Sequence, residues 1–124
     1  TICYDLRFPH LHRTLAQAGA HILTVPAAFT VPTGKAHWHT LLKARAIETG
    51  CFILAPAMVG QHSPKRATYG HSLVVSPWGE VLADAGTAEG VTFATLDLSL
   101  VKEARAKIPA LSHDREFTLD HHQQ

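Results

Sequence analysis

The sequence holds two thiols and ten histidines, and these are the side chains with reactive chemistry to place first. Cys3 lies in Thr1-Ile2-Cys3-Tyr4-Asp5-Leu6-Arg7-Phe8-Pro9, where a short β-prone run turns directly into a helix. Pro9 suits a helix start, because its missing N–H has no partner there and its fixed φ matches the helix. A thiol at such a strand-to-helix turn is exposed at the sheet end, near backbone N–H groups whose partial charge favours thiolate. A free thiol is mostly protonated at pH 7, so acyl transfer from an amide also needs a base and donors for the developing oxyanion. Cys51 opens a very apolar run and reads as core, the common fate of a free cysteine. Two cysteines make no disulfide framework, and a nucleophilic Cys3 must stay reduced, which points to a cytosolic setting.

The histidines do not suggest a metal site. His10 and His12, like His37 and His39, are two residues apart on predicted helices, so each pair diverges by about 200°. His121 and His122 fall in a polar tail. Gly70-His71-Ser72-Leu73-Val74 lacks the last glycine of a nucleophile elbow and precedes a strand, which speaks against a serine hydrolase.

Several elements must position Cys3. A helix is expected over residues 9–18, with Phe8, Leu11, Leu15 and Ala18 on one buried stripe and Gly19 at its end. Ile22 to Val25 is a short strand stopped by Pro26, and helix between two strand signals implies a parallel, buried βαβ arrangement. The loop over residues 26–34 lies after a strand's carboxyl end, where binding clefts form, so Phe29 and Thr30 are candidate pocket residues. A second helix over residues 35–49 ends at Gly50. Trp38, Leu41, Leu42, Arg45 and Glu48 share one of its faces, so the two charges are expected to pair with each other or with polar groups near the site. Breaking such a buried pair would cost about 3–5 kcal/mol.

Residues 51–59 read as a central strand, placing Met58 at a strand end near the pocket. Residues 61–68 read as a polar, basic loop. Residues 72–76 and 80–83 form a hairpin across Pro77 and Gly79. A further strand is expected over 91–96. A last helix over 100–108 buries Val101, Ala104 and Ile108, with Ser99 as N-cap and Pro109 ending it. Residues 111–119 are extended, and 120–124 form a frayed polar tail. The sum is five strands and three helices in an α/β layered domain.

The chain has 124 residues, 46% of them apolar and 17% charged, with a formal net charge of +1. That is one domain or part of one, with no basic field for nucleic acid or an anionic membrane. No apolar run reaches the roughly 20 residues of a membrane span, and the first residues do not form a signal peptide. Thr1 falls at what reads as the end of a strand, so the chain is expected to be the C-terminal portion of a longer protein.

Cys3-Tyr4-Asp5-Leu6-Arg7-Phe8-Pro9 closely resembles the nucleophile segment of the nitrilase superfamily, the carbon–nitrogen hydrolases. Trp38-x-x-Leu41-Leu42-Lys43-Ala44-Arg45-Ala46-Ile47-Glu48-Thr49, Tyr69-Gly70-His71-Ser72, Pro77-Trp78-Gly79-Glu80-Val81 and Ile108-Pro109-Ala110-Leu111 resemble further blocks of that family, in its order and spacing. The resemblance implies an α-β-β-α sandwich, of which residues 1–119 would be the C-terminal part. It also implies a Cys3 nucleophile and a Tyr4 backbone N–H that serves the oxyanion. Asp5, Arg7, Arg45 and Glu48 would brace the site. The family's catalytic lysine and glutamate lie upstream of the cysteine, and Lys35, Lys43 and Glu48 are not their substitutes. The implied activity is hydrolysis of amide bonds in small carboxylate-bearing amides through a cysteine thioester, with no cofactor. The branch resembled is that of deaminated-glutathione amidase and ω-amidase-like proteins. The partners implied are a small amide, water and, at full length, further copies of the chain. An N-carbamoyl or ureido hydrolase, or an inactive binding scaffold, are the alternatives. His10 and Met58 depart from the family's pattern, Met58 standing where glutamine is expected beside the pocket.

Overall fold

The apolar runs at Ile22 and Phe52 form neighbouring parallel strands, and a computed structural model describing residues 1–119 shows what is laid on them. In chain order the regular elements begin with a 3-10 turn, Cys3–Arg7, followed by α1 (Pro9–Gln17) and β1 (Ile22–Thr24). Next come α2 (Val31–Thr33), a π-helical segment Gly34–Trp38, and α3 (His39–Thr49). Five strands follow: β2 (Phe52–Ala55), β3 (Val59–Ser63), β4 (Arg66–Tyr69), β5 (Leu73–Val75) and β6 (Val81–Asp84). α4 (Ser99–Lys107) and a short 3-10 turn, Ala110–Ser112, complete the list. The expected polar tail, residues 120–124, lies outside the described residues.

The main sheet has the order β1-β2-β5-β6, with β1 and β2 parallel and the other neighbours antiparallel. The α2–α3 crossover makes the parallel pair possible, since parallel strands need a long connection. Helices α1 and α3 pack on one another, and α3 lies on β2 and β5. Between helices and sheet sits a core of Leu6, Leu23, Val25, Trp38, Leu42, Ile53, Leu73 and Val75, all buried. Each such large side chain contributes roughly 1.5–3 kcal/mol when fully buried. Gly50 ends α3 in the left-handed region at φ +61°, with its N–H on the Ala46 carbonyl, where a residue without Cβ fits best. Gly34 answers to space instead, because a Cβ there would overlap the Tyr69 ring.

Several sequence expectations are corrected. Thr1 and Ile2 form no strand of the sheet; they run beside the end of β1, tied by Thr1 Oγ1 to the Thr24 carbonyl (2.9 Å). On α1 the buried positions are His12 and Ala16, whereas Phe8, Leu11 and Ala18 are exposed. The His12 ring holds the inward place because the Phe8 carbonyl accepts from its Nδ1 at 3.0 Å. The second helix begins earlier than expected, at Val31, with Pro32 in its first turn. The run over 51–59 breaks at Pro56, which donates no ladder bond, so β2 and β3 are separate strands.

The stretch over 61–68 is not a loop. It is most of an antiparallel ribbon of β3 and β4, with Val59 opposite Tyr69. Conversely, residues 91–96 form no strand, and Val91 and Phe93 are exposed; their alternation lacks the ladder partner a strand needs. The hairpin of β5 and β6 is as expected. α4 buries Val101 and Ala104 but leaves Ile108 exposed. Its start is capped by Asp97, whose Oδ1 accepts from the Ser99 N–H at 2.9 Å, rather than by the Ser99 side chain. Residues 111–119 begin in the Ala110–Ser112 turn before becoming irregular. The total is six strands and four helices among the described residues.

Candidate active site

Cys3 is held by its backbone from two sides. Its N–H donates to the Pro26 carbonyl at 2.8 Å, fixing it against the carboxyl end of β1. Ile2 and Asp5 then close the turn reciprocally, Ile2 N–H to Asp5 Oδ2 at 2.8 Å and Asp5 N–H to the Ile2 carbonyl at 2.9 Å. The chain reverses so sharply that Cys3 has φ +46°, a left-handed conformation uncommon for a residue with a side chain. Strain of this kind persists only where the surroundings enforce it, and it concentrates at functional sites. The N–H of Tyr4, at the front of the 3-10 turn where helical donors have no partner within the helix, meets no acceptor among the described residues.

Beyond Cys3 lies an open depression whose wall includes Pro26, Ala28, Pro56, Met58 and Ser72. Its floor is the continuation of the β1–β2 pairing past the strands proper. Ala27 N–H donates to the Pro56 carbonyl at 3.0 Å, and Met58 N–H donates to the Ala27 carbonyl at 2.8 Å. Ser72 joins from the next strand's approach, its Oγ accepting from Ala57 N–H at 2.8 Å. The depression thus sits at the carboxyl ends of parallel strands, the usual place for ligands on α/β sheets.

The residues named to brace the site divide by what they touch. Arg45 is buried; its Nε donates to the Leu6 carbonyl at 3.0 Å and its Nη1 to Glu48 Oε2 at 2.9 Å. It ties α3 to the turn that carries Cys3. The pairing with Glu48 is as expected, but the shared buried stripe is not, since the Glu48 side chain is about half exposed. Arg7 lies over the rings of Tyr4 (5.5 Å) and Phe29 (5.3 Å), with Nη1 3.3 Å from His37 Nδ1.

Of the three pocket candidates, Met58 lines the depression. Phe29 is instead core, packed 4.8 Å from the Trp38 ring. Thr30 lies outside the depression, its hydroxyl 2.9 Å from that of Thr33. Ser72 is a further lining residue beyond those candidates; its signal in the sequence is the Tyr69-Gly70-His71-Ser72 block. Cys51 is fully buried, 3.2 Å from the Ala20 carbonyl, as a core thiol should be.

Two histidine environments stand out. Beneath the Cys3 turn, His12 is buried with its Nε2 3.4 Å from Thr1 Oγ1. Desolvation lowers its pKa below the ordinary value, partly opposed by the Phe8 carbonyl and reinforced by the Arg45 charge. Elsewhere, His39 at the start of α3, His71 after β4 and Asp84 at the end of β6 come together. Spacing within one helix could not foresee this, because His39 meets residues of two other elements instead of His37.

The fold and the Cys3 depression define an α/β protein with a thiol presented at a strained turn. A family comparison agrees: the carbon–nitrogen hydrolase model matches residues 1–106, and the chain belongs to that family. Deaminated glutathione amidase of Homo sapiens is 52% identical over 114 residues, which take in 92% of this chain and 35% of that protein. The C. elegans NitFhit crystal structure superposes with a TM-score of 0.90 at 50% identity, covering 93% of this chain and 28% of that one. A variant of the Nesterenkonia sp. AN1 amidase, solved with acrylamide added at its active site cysteine, gives a TM-score of 0.69 at 30% identity. The shares covered there are 87% of this chain and 42% of that one. The chain therefore matches part of the nitrilase-superfamily fold, and spans 35–42% of the length of the deaminated glutathione amidases it resembles.

Proposed function

We propose that the protein hydrolyses the carbon–nitrogen bond of small carboxylate-bearing amides, with Cys3 as the nucleophile. The observation that carries this reading is the strained Cys3 turn, opening on the depression at the carboxyl ends of β1 and β2. In the reaction, Cys3 Sγ attacks the amide carbonyl and the tetrahedral oxyanion accepts a hydrogen bond from the Tyr4 N–H. Collapse breaks the C–N bond, the departing nitrogen takes a proton, and a thioester remains on Cys3. Water then attacks the thioester, releasing the acid and returning the thiol.

The base would be a glutamate and the charged oxyanion donor a lysine, both outside residues 1–124, so the chain would be the C-terminal part of one hydrolase domain, inactive alone. The amide substrate class follows the naming of relatives as deaminated glutathione amidase. A homo-oligomer at full length and a reducing, cytoplasmic setting that keeps Cys3 free complete the proposal. Turnover of glutaramate-like amides by the full-length protein tests it. Cys3→Ala is expected to fall to background, since loss of the nucleophile removes the covalent route entirely. Wild-type turnover in that variant, or no turnover by the parent protein on any small amide, would overturn it.

A further inference from the structure

We propose that His39, His71 and Asp84 form a binding site for one divalent transition-metal ion, zinc being the best fit to the donor set. The three side chains come from α3, the β4–β5 connection and β6, and their donor atoms all lie within 4.8 Å of one another. His39 Nε2 is 3.0 Å from Asp84 Oδ2, and His71 Nδ1 is 2.9 Å and 3.1 Å from the two Asp84 oxygens. These residues take no part in the chemistry proposed for Cys3.

The ligands are already held in place. His71 has φ +58°, a second left-handed residue with a side chain. Its N–H is bound to the Gly86 carbonyl at 2.7 Å, and its own carbonyl accepts from Trp38 Nε1 at 2.8 Å. The Tyr69 ring stacks on its imidazole at 4.4 Å, and the His39 ring meets it edge-on at 5.2 Å. Asp84 Oδ1 also accepts from Gly86 N–H at 2.8 Å, fixing the carboxylate. Preorganised ligands with outer partners of this kind are what metal affinity depends on.

Two imidazole nitrogens and one carboxylate oxygen suit zinc in a site with three protein ligands and a fourth position open to water. The donors now stand at hydrogen-bond distance, each histidine N–H directed at Asp84. Metal–ligand bonds of about 2.0–2.2 Å in tetrahedral geometry need donors about 3.3–3.5 Å apart, so an ion would part each histidine slightly from Asp84 and draw together any donors that stand farther apart, which here lie within 4.8 Å of one another. Each imidazole would carry its proton on the opposite nitrogen, leaving the facing lone pair for the ion. The side chains are each about a quarter to a third exposed, so an ion can enter from solvent.

The test is zinc titration of the chelator-treated full-length protein by calorimetry, with cobalt absorption as a second readout of coordination. One equivalent per chain should bind, raise the melting temperature, and give a cobalt spectrum of tetrahedral type. Asp84→Asn and His39→Gln should each weaken binding by more than about tenfold. His71→Asn, whose new side chain tolerates the left-handed backbone, should do the same. Circular dichroism of each variant checks that the fold persists. No stoichiometric uptake by the parent protein, or equal uptake by folded Asp84→Asn and parent, would overturn the proposal; the first outcome means that the triad is a hydrogen-bonded cluster only.

Discussion

Cys3 and Cys51 are the same residue type in opposite circumstances. Cys3 stands half-exposed at a strained turn facing the depression, whereas Cys51 is sealed in the core. Replacing each with alanine should therefore separate function from stability. Cys3→Ala should abolish turnover with little change in the melt. Cys51→Ala should keep turnover and lose roughly 1–2 kcal/mol, within the range of small core truncations. Turnover and denaturant melts of the two full-length variants check this, and an exchanged pattern would reverse the assignment.

His12 offers a pH signature at the same scale. Its folded pKa is depressed below 6.5, so the unfolded chain takes up a proton first as pH falls. The stability that His12 contributes is thus whole above pH 6.5 and is lost as pH drops through the folded value. Comparing melts of the parent and His12→Asn between pH 8 and pH 5, about the window set by an ordinary histidine, should show a shallower loss in the variant. Parallel curves would mean that His12 takes its proton as readily in the fold as out of it.

Among the elements, α3 carries the contact that steadies the Cys3 turn. Arg45 holds the Leu6 carbonyl from the buried side, while its partner Glu48 reaches solvent. The two halves of this pair should behave unequally. Arg45→Ala strands a buried carbonyl and empties packed space, at about 2–4 kcal/mol. Glu48→Gln keeps an acceptor at a half-exposed position and should cost under about 1 kcal/mol. Chemical denaturation of both variants checks the ratio, and Arg45→Ala should also lower turnover because the Cys3 turn loses its brace. Equal, small costs would show that Arg45 is solvated.

The same helix shows what periodicity can and cannot reveal. It places Arg45 among Trp38 and Leu42 correctly, but a three-residue step swings Glu48 far enough to clear the core. Gly50 and the Pro77–Gly79 turn were legible because their backbone geometry demands particular residues. The β3–β4 ribbon was not, since among its residues only Thr68 is buried and the apolar alternation that marks a strand is missing. Val91 and Phe93 show the reverse error: alternation is present, and the partner strand is not among the described residues. The placing of Cys3 at a turn just before a helix was legible from Pro9 and its neighbours. The His39–His71–Asp84 cluster was not, because it depends on tertiary meeting of three elements and leaves no local pattern.

At the scale of the molecule, the chain covers about a third to two-fifths of the deaminated glutathione amidases it resembles. It displays Ile2, Val91, Phe93 and Phe117 to solvent, with exposures from 68% to 87%. Such side chains, together with the open edges of a four-stranded sheet, favour association through unpaired surfaces. Residues 1–124 expressed alone should aggregate or melt without cooperativity, and should show no amidase turnover. Light scattering and calorimetry check this; a sharp melt with turnover would mean that the catalytic machinery is complete within the chain.

The central claim is that an acyl group passes through Cys3, and intact-mass spectrometry of the full-length protein during turnover tests it most directly. Rapid acid quench with a small carboxylate-bearing amide should reveal a fraction of protein heavier by the acyl group, with peptide mapping placing it on Cys3 and hydroxylamine removing it. Absence of any adduct under burst conditions while product accumulates, or an adduct mapped to another residue, would contradict the account.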